Sequence, residues 1–203
     1  FPDAMGAVYN GRPLNKTEFK AHLDVDALGG EPGYTTLEKL WHRPTCEVNG
    51  LLSGYTGEGA KTVLPGQAML KVSCRLVPDQ DPKEIAKLVE RHVLKHAPRG
   101  VSVKVTELHG GHAWRAELDG PLYEAASRAL EAAFGRKPVI TGEGGSIPVV
   151  NDFAQILGAP VLLVGFGLPG ENAHAPDEWM SVENFEKGMR AVASLWDELG
   201  TED

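Results

Sequence analysis

Residues 68–105 read AMLKVSCRLVPDQDPKEIAKLVERHVLKHAPRGVSVKV, and the change of period inside that stretch decides the fold class. Ala68, Leu70, Val72 and Cys74 alternate with Met69, Lys71, Ser73 and Arg75, the two-residue period of a strand with two unlike faces. Pro78 ends it. Asp81 followed by Pro82 makes a helix N-cap with proline at the first helical position. Ile85, Leu88, Val89, His92 and Val93 then recur at helical spacing until Pro98 and Gly100 close the element. Val101, Val103 and Val105, extended by Glu107 and Leu108, return to a period of two. Residues 45–49 supply a short strand upstream, so the local order is strand, strand, helix, strand. That is most of a small α+β sandwich, one strand and one helix short of the symmetric split βαβ arrangement.

On the N-terminal side, residues 1–44 show no clear period. YNGRPLNK and DALGGEPGY carry turn dipeptides, and residues 17–28 allow at most a short helix. The stretch reads as an extended loop region with one or two short helices, an irregular arm or an insertion of the sandwich that follows. On the C-terminal side the pattern turns helical. Asp119 is a candidate cap and Pro121 a first-turn residue, and Leu122, Ala125, Ala126, Ala129, Leu130, Ala133 and Phe134 form an apolar stripe that Gly135 stops. Residues 146–157 read as a second helix, with Pro148 near its start and Gly158 after its end. Residues 161–166 are a continuous apolar run, as in a strand covered on both faces. Residues 181–199 make the last helix, with Phe185, Met189, Val192, Leu195, Trp196 and Leu199 as its expected core stripe. Helix, strand and helix suit an α/β layer, with the boundary between the two regions near Leu118.

Composition narrows the function classes. The 203 residues carry 20 Lys plus Arg against 28 Asp plus Glu, a net charge of −8, which argues against a phosphate backbone as main partner. No uninterrupted apolar run approaches the roughly 20 residues of a membrane helix. Two cysteines are not a disulfide framework; they point to a reducing, cytoplasmic setting with Cys46 and Cys74 as buried thiols. The chain opens on Phe1 rather than methionine, as a processed or truncated chain would.

Most of the seven histidines carry little. His22 and His42 lie in the irregular arm. His92 and His96 share one helix face but have no third ligand converging on them. His109 and His112 flank a glycine turn. Two other places differ. Residues 142–148, GEGGSIP, precede a helix, so backbone N–H groups and the Ser146 hydroxyl can converge on an anion. The spacing is not that of a dinucleotide fingerprint, and an ordinary glycine-rich turn is the plainer reading. Residues 165–178, GFGLPGENAHAPDE, follow the apolar run and precede the last helix. Ligand sites gather outside the carboxyl ends of strands in open α/β sheets. His174 there is a candidate metal ligand or acid/base, although one histidine does not make a zinc site.

Three ordered motifs carry a more specific signal: EVNG (47–50) with GYTGEGAKTVLPGQAMLKVSCRLVPDQDP (54–82), GEGGSIPVV (142–150) and GFGLPGENAHAPDEW (165–179). Together they resemble the di-zinc metallopeptidase family (M20 type) of aminoacylase, carnosinase, glutamate carboxypeptidase, acetylornithine deacetylase and succinyl-diaminopimelate desuccinylase, and within it the dipeptidase-like branch. The resemblance runs from about residue 44 to 199. It implies an α/β fold: the C-terminal part of a zinc-peptidase-like catalytic domain (119–203) and an incomplete α+β, ferredoxin-like lid that makes the homodimer (45–118), preceded by the arm (1–44). It further implies two zinc ions in the complete enzyme, or other divalent metals such as manganese or cobalt. His174 would be a ligand of one of them. Arg75 would bind the substrate carboxylate, and Ser146 with the Gly144 and Gly145 backbone would form part of a substrate-binding turn. Thr62 would be a polar substrate contact reached across the dimer. Asn49 is a lesser candidate, because family members differ there. No residue of this chain matches the family's general base or its other metal ligands, so the 203 residues alone are expected to hold no metal. The implied reaction of the full-length protein is hydrolysis of a peptide or N-acyl amide bond in a short peptide or acyl amino acid with a free carboxylate. Neither nucleic acid nor membrane is an expected partner. The alternative is a non-catalytic piece that retains only lid-mediated self-association or ligand binding.

Overall fold

A computed structural model of the chain describes residues 8–9, 12–142, 147, 149–168 and 170–200. The chain divides into two compact units, one formed by Phe1–Trp41 with Trp114–Asp203 and the other by His42–Ala113. α-Helices and small open sheets make a mixed α/β architecture. Among the described residues, no helix is long and apolar enough to cross a membrane.

The first unit opens with a pair of two-residue antiparallel strands, β1 (Val8–Tyr9) and β2 (Arg12–Pro13). Helix α1 (Lys16–Leu23) follows because the Asn15 side chain accepts from the Thr17 and Glu18 amides at 3.0 and 3.3 Å. It ends where Asp24 turns left-handed (φ 53°). Helix α2 (Thr36–Trp41) is the second short helix of a stretch expected to be an extended loop region with one or two of them. Its cause is a reciprocal cap: the Glu38 amide donates to Thr35 Oγ1 at 3.3 Å, and the Thr35 amide donates to Glu38 Oε2 at 2.6 Å. Leu37, one residue into that helix, is among the most deeply buried side chains in the chain.

Helices α4 (Pro121–Phe134), α5 (Val149–Leu157) and α6 (Val182–Gly200) complete this unit. The cap of α4 is Gly120 and not the expected Asp119, since no side-chain oxygen bonds its free amides. Its end is as expected: Gly135 takes the left-handed conformation (φ 70°) and its amide donates to Glu131 O. The α5 helix begins three residues later than predicted. The core lies between α4 and α6, where Ala125, Ala126, Ala129 and Ala191 are buried. Here the stripe expected for α6 is corrected. Its buried positions are Gly188, packed on the Phe166 ring, and Ala191, with Leu195 half-buried and Val192 at the rim of the α4 side, while Phe185, Met189, Trp196 and Leu199 are exposed. Small residues let two helix backbones approach, so they, and not the bulkiest side chains, occupy the seam. Arg128 on α4 crosses to Glu198 on α6, with Nε and Nη2 both 2.7 Å from Oε2.

The second unit contains β3 (Thr45–Ser53), β4 (Ala68–Arg75) and α3 (Pro82–His96). The strands are antiparallel, with Thr45 opposite Arg75 and Ser53 opposite Ala68. Asn49 has no partner in the ladder; it is a bulge between Val48 and Gly50. Without the bulge, Gly50 and Leu52 would follow Val48 onto the apolar face. With it, Leu51 faces Leu70, so Cys46, Val48 and Leu51 line up with Cys74, Val72 and Leu70. Helix α3 starts as expected, Asp81 Oδ1 accepting from the Glu84 amide at 2.9 Å. Ile85, Leu88, Val89, His92 and Val93 then form, with Cys46 and Val72, an apolar cleft of about 350 Å³.

Two expected strands are not in a ladder. Residues 101–108 and 161–166 pair with no neighbour among the described residues. A two-residue period fixes which side chains share a face, but a strand exists only where a second one completes its hydrogen bonds. The period itself is visible: Val103 and Val105 are half-buried while Ser102, Lys104 and Thr106 are exposed.

Candidate functional site

In the first unit, the loop that carries His174 is held at both ends. At its start, the Phe166 ring stacks on Phe134 (5.8 Å between centroids, 8° between planes) and rests against Gly188 of α6. A methyl group at Gly188 would lie 2.7 Å from that ring, which is why glycine stands in mid-helix there. At its end, Ser181 caps α6 by accepting from the Asn184 amide at 3.2 Å, and Asn184 Nδ2 reaches back to Phe166 O at 2.9 Å. One side chain thus joins the two ends of the loop.

The interior of the loop folds back on itself. The Trp179 indole donates to Gly170 O at 2.8 Å and the Trp179 amide to Glu171 O at 3.0 Å. Glu171 Oε1 accepts from the Ser181 amide at 3.4 Å, and the Ala175 amide closes a turn onto Asn172 O at 2.8 Å. These bonds hold three non-glycine residues left-handed: Asn172 (φ 55°), His174 (φ 62°) and Asp177 (φ 58°). Asn and Asp tolerate that region better than most residues. A left-handed residue costs of order 1 kcal/mol or more and persists where its surroundings over-determine it. His174 is exposed at the tip of this arrangement. The His22 ring of α1 comes close to the base of the loop, its Cε1 3.4 Å from where a side chain on Gly170 would start.

The glycine-rich turn begins at Gly142, whose backbone is packed so closely on Trp41 of α2 that a Cβ would meet the indole Cγ at 2.8 Å. Gly144, Gly145 and Ser146 lie outside the described residues.

In the second unit, Arg75 is the last residue of β4 and is exposed, opposite Thr45, whose hydroxyl donates to Glu47 at 2.9 Å. Asn49 is the bulged residue of β3, about 13 Å along the strand from that position at roughly 3.3 Å per residue. Thr62 lies in the exposed loop 54–67, where Tyr55 OH donates to Glu58 O at 3.0 Å and Lys61 Nζ sits 4.9 Å from the Tyr55 ring centre. Each of these three side chains is presented by a different local device: a strand end, a bulge and a loop. The sequence reading found His174 but missed Glu171, Trp179, Ser181 and Asn184, which hold its loop. Only the Ser181-x-x-Asn184 spacing before an apolar helix signalled any of them.

Cysteines 46 and 74 face each other across β3 and β4, both as free thiols. Neither is fully buried as expected, Cys46 being exposed and Cys74 half-buried, because α3 covers only part of that sheet face.

Among the described residues, no three His, Cys, Asp or Glu side chains converge to hold a metal ion. A zinc site takes about four ligands, and His174 brings one imidazole. The donor set described in this chain does not by itself fit a zinc ion.

Comparison with known proteins places the chain. The model of peptidase family M20/M25/M40 matches residues 5–198. The chain is 30% identical to the Cys-Gly metallodipeptidase dug1 of Schizosaccharomyces pombe, over 96% of this chain and 42% of that protein. It is 30% identical to the Beta-Ala-His dipeptidase of Homo sapiens, over 94% of this chain and 38% of the relative. Among solved structures, it superposes on the M20 family metallo-carboxypeptidase Sso-CP2 from Sulfolobus solfataricus with a TM-score of 0.77 at 28% identity, over 90% of this chain and 41% of that one. Human carnosine dipeptidase 1 matches with a TM-score of 0.77 at 29% identity, over 94% and 41%. The chain therefore spans about two fifths of the length of these relatives, and with a family match that covers nearly all of it, this chain belongs to peptidase family M20/M25/M40.

Proposed function

We propose that this chain is the C-terminal part of a metal-dependent dipeptidase or carboxypeptidase. The full-length protein hydrolyses a peptide or N-acyl amide bond in a short substrate with a free carboxylate. The observation that carries the reading is the His174 loop: within a family match over residues 5–198, it is the segment where three left-handed residues are fixed around one exposed imidazole. The relatives' own substrates, Cys-Gly and β-Ala-His, are dipeptides of that class. On this reading, His174 is one ligand of a zinc pair whose other ligands come from outside the described residues. Arg75 holds the substrate carboxylate, since a guanidinium offers the planar, two-pronged donor set that a carboxylate accepts. Ser146, Gly144 and Gly145 line the substrate turn, Thr62 touches substrate across a dimer, and Asn49 stands beside it. Residues 45–118 serve as a ferredoxin-like lid and dimer contact. Exposed apolar side chains of α6 such as Trp196 form a face that the rest of a longer chain covers.

The test uses the full-length enzyme. His174→Ala should lose or loosen one zinc and lower turnover on every substrate. Arg75→Ala should keep both ions, and its kcat/KM should fall about thirtyfold or more on a free acid but far less on the matching C-terminal amide, as expected for losing a contact worth roughly 2–5 kcal/mol. Metal content is read alongside rates. An Arg75→Ala enzyme that loses metal, or that suffers equally on both substrates, assigns the arginine to architecture. A His174→Ala enzyme with full metal content removes His174 from the ligand set.

A further inference from the structure

Cys46 and Cys74 play no part in the proposed hydrolysis, yet their placement is specific. They are directly opposed in the β3–β4 ladder. Directly opposed residues of an antiparallel pair share a face, with Cα atoms about 4.5 or 5.5 Å apart according to the kind of pair. A disulfide asks for a Cα separation of roughly 4.4–6.8 Å. Either kind of pair therefore brings the sulfurs within bonding reach with the strands already in register. The two thiols differ in access: Cys46 is exposed, whereas Cys74 is half-buried. Burial first, then the neighbouring Cys46 thiol and the negative charge of Cys46 and Glu47, pushes the Cys74 thiol up to about 11. The pair is thus unequal, with one thiol open to solvent and one that keeps its proton.

We propose that Cys46 and Cys74 form a site of reversible thiol–disulfide exchange with small disulfides of the glutathione class. Cys46, as its thiolate, attacks one sulfur of the small disulfide. A bond forms between the protein and that sulfur, the original S–S bond breaks, and the first small thiol leaves with a proton. Cys74 then gives its proton to water and attacks Cys46 Sγ, and the second small thiol leaves. Two protein thiols have lost two electrons and two protons, and one small disulfide has become two thiols. The resulting bond joins β3 to β4 beside the Thr45–Arg75 position. An exposed partner makes it accessible to reduction, which is the property of exchangeable disulfides and not of permanently buried ones.

The full-length protein is incubated at neutral pH with excess oxidised glutathione, quenched with acid, alkylated and mapped by peptides. The expected product takes no alkyl group at Cys46 or Cys74, yields a peptide linking the two that is lighter by two hydrogen atoms than the reduced pair, and returns both to free thiols with dithiothreitol. Cys74→Ser should trap one glutathione on Cys46, because the resolving thiol is gone. Cys46→Ser should leave Cys74 largely alkylatable. Two thiols still open to alkylation in the unsubstituted chain would overturn the proposal. So would a glutathione on each cysteine with no linked peptide, or a link between two chains. The unsubstituted chain decides the question even if one variant does not fold.

Discussion

The α4–α6 pair and the β3–β4 hairpin form equally regular local structure and bury very different amounts of it. Between α4 and α6, Ala125, Ala126, Ala129 and Ala191 are 1–4% exposed. On β3 and β4, a ladder of eight residue pairs leaves Leu51 74%, Val48 62% and Leu70 52% exposed. Alanines let two helices close on each other, so each helix supplies the other's cover. A two-stranded sheet cannot do that, because both strands present their apolar side chains to the same side, and α3 covers only the Cys46 and Val72 end. Backbone hydrogen bonding and apolar burial are therefore separable in this molecule. Two strands satisfy the first, and the second requires another layer.

The largest expected effect breaks the tightly closed side of that contrast. Gly188→Ala should stabilise a solvent-facing helix by about 1 kcal/mol through helix propensity. Here the new methyl meets the Phe166 ring, which is itself stacked on Phe134, so the expected outcome is a net loss of about 1–2 kcal/mol from overpacking. Urea unfolding of the two chains reads the sign. A gain would show that the α6 seam is loose and that the contrast with the hairpin is one of degree.

An intermediate effect concerns the hairpin unit, whose α3 is supported by its cap more than by burial. The Glu84 amide bond holds the Asp81 carboxyl below the usual carboxylate range, against a smaller opposing desolvation, with the Lys83 amide and the His112 and Lys83 charges adding to it. A lowered folded value means that the contribution is present above the ordinary carboxylate pKa and is lost as pH falls through the lowered one. Amide exchange at residues 83–86 should therefore quicken in acid relative to Asp81→Asn, which keeps a capping oxygen that does not titrate. Asp81→Ala should show the faster exchange throughout. Identical acid profiles for the parent and Asp81→Asn would mean that the carboxylate charge contributes nothing to α3.

The smallest effect is expected where burial is least. Leu51→Ser removes an apolar side chain from a face that is already wet, and should change unfolding stability by no more than about 0.5 kcal/mol. A loss several times larger would reveal cover on that face and erase the contrast.

Several of these features are legible in residues 68–105 themselves. Asp81-Pro82 starts α3 and its apolar spacing carries it to His96, because capping and period are local and need no partner. Gly135 ends α4 for the same reason. The α2 cap, Thr35-x-x-Glu38, is legible too, although the turn dipeptides around it leave the place of a short helix in residues 1–44 open. The Asn49 bulge was not, because TCEVNGLLS alternates acceptably in either register and only pairing with β4 selects the one that brings Leu51 to Leu70. Nor was the α6 seam, since large apolar residues at helical spacing mark a stripe without saying what faces it.

The candidate site divides along the same line. His174 stands out in its motif by residue type and by the glycines and prolines around it. The left-handed conformations at Asn172, His174 and Asp177 depend on a Trp179 indole, a Glu171 carboxylate and an Asn184 amide that reach back over several residues to one loop. By itself, the sequence determined where helices start and stop, which strand faces are apolar, and which histidine lies in the loop. Only the tertiary structure decided which apolar faces are covered, which extended segments find a ladder, and how the His174 loop is held. Caps and periods act between neighbours in the chain, whereas cover, pairing and loop anchoring need groups that are distant in sequence to meet.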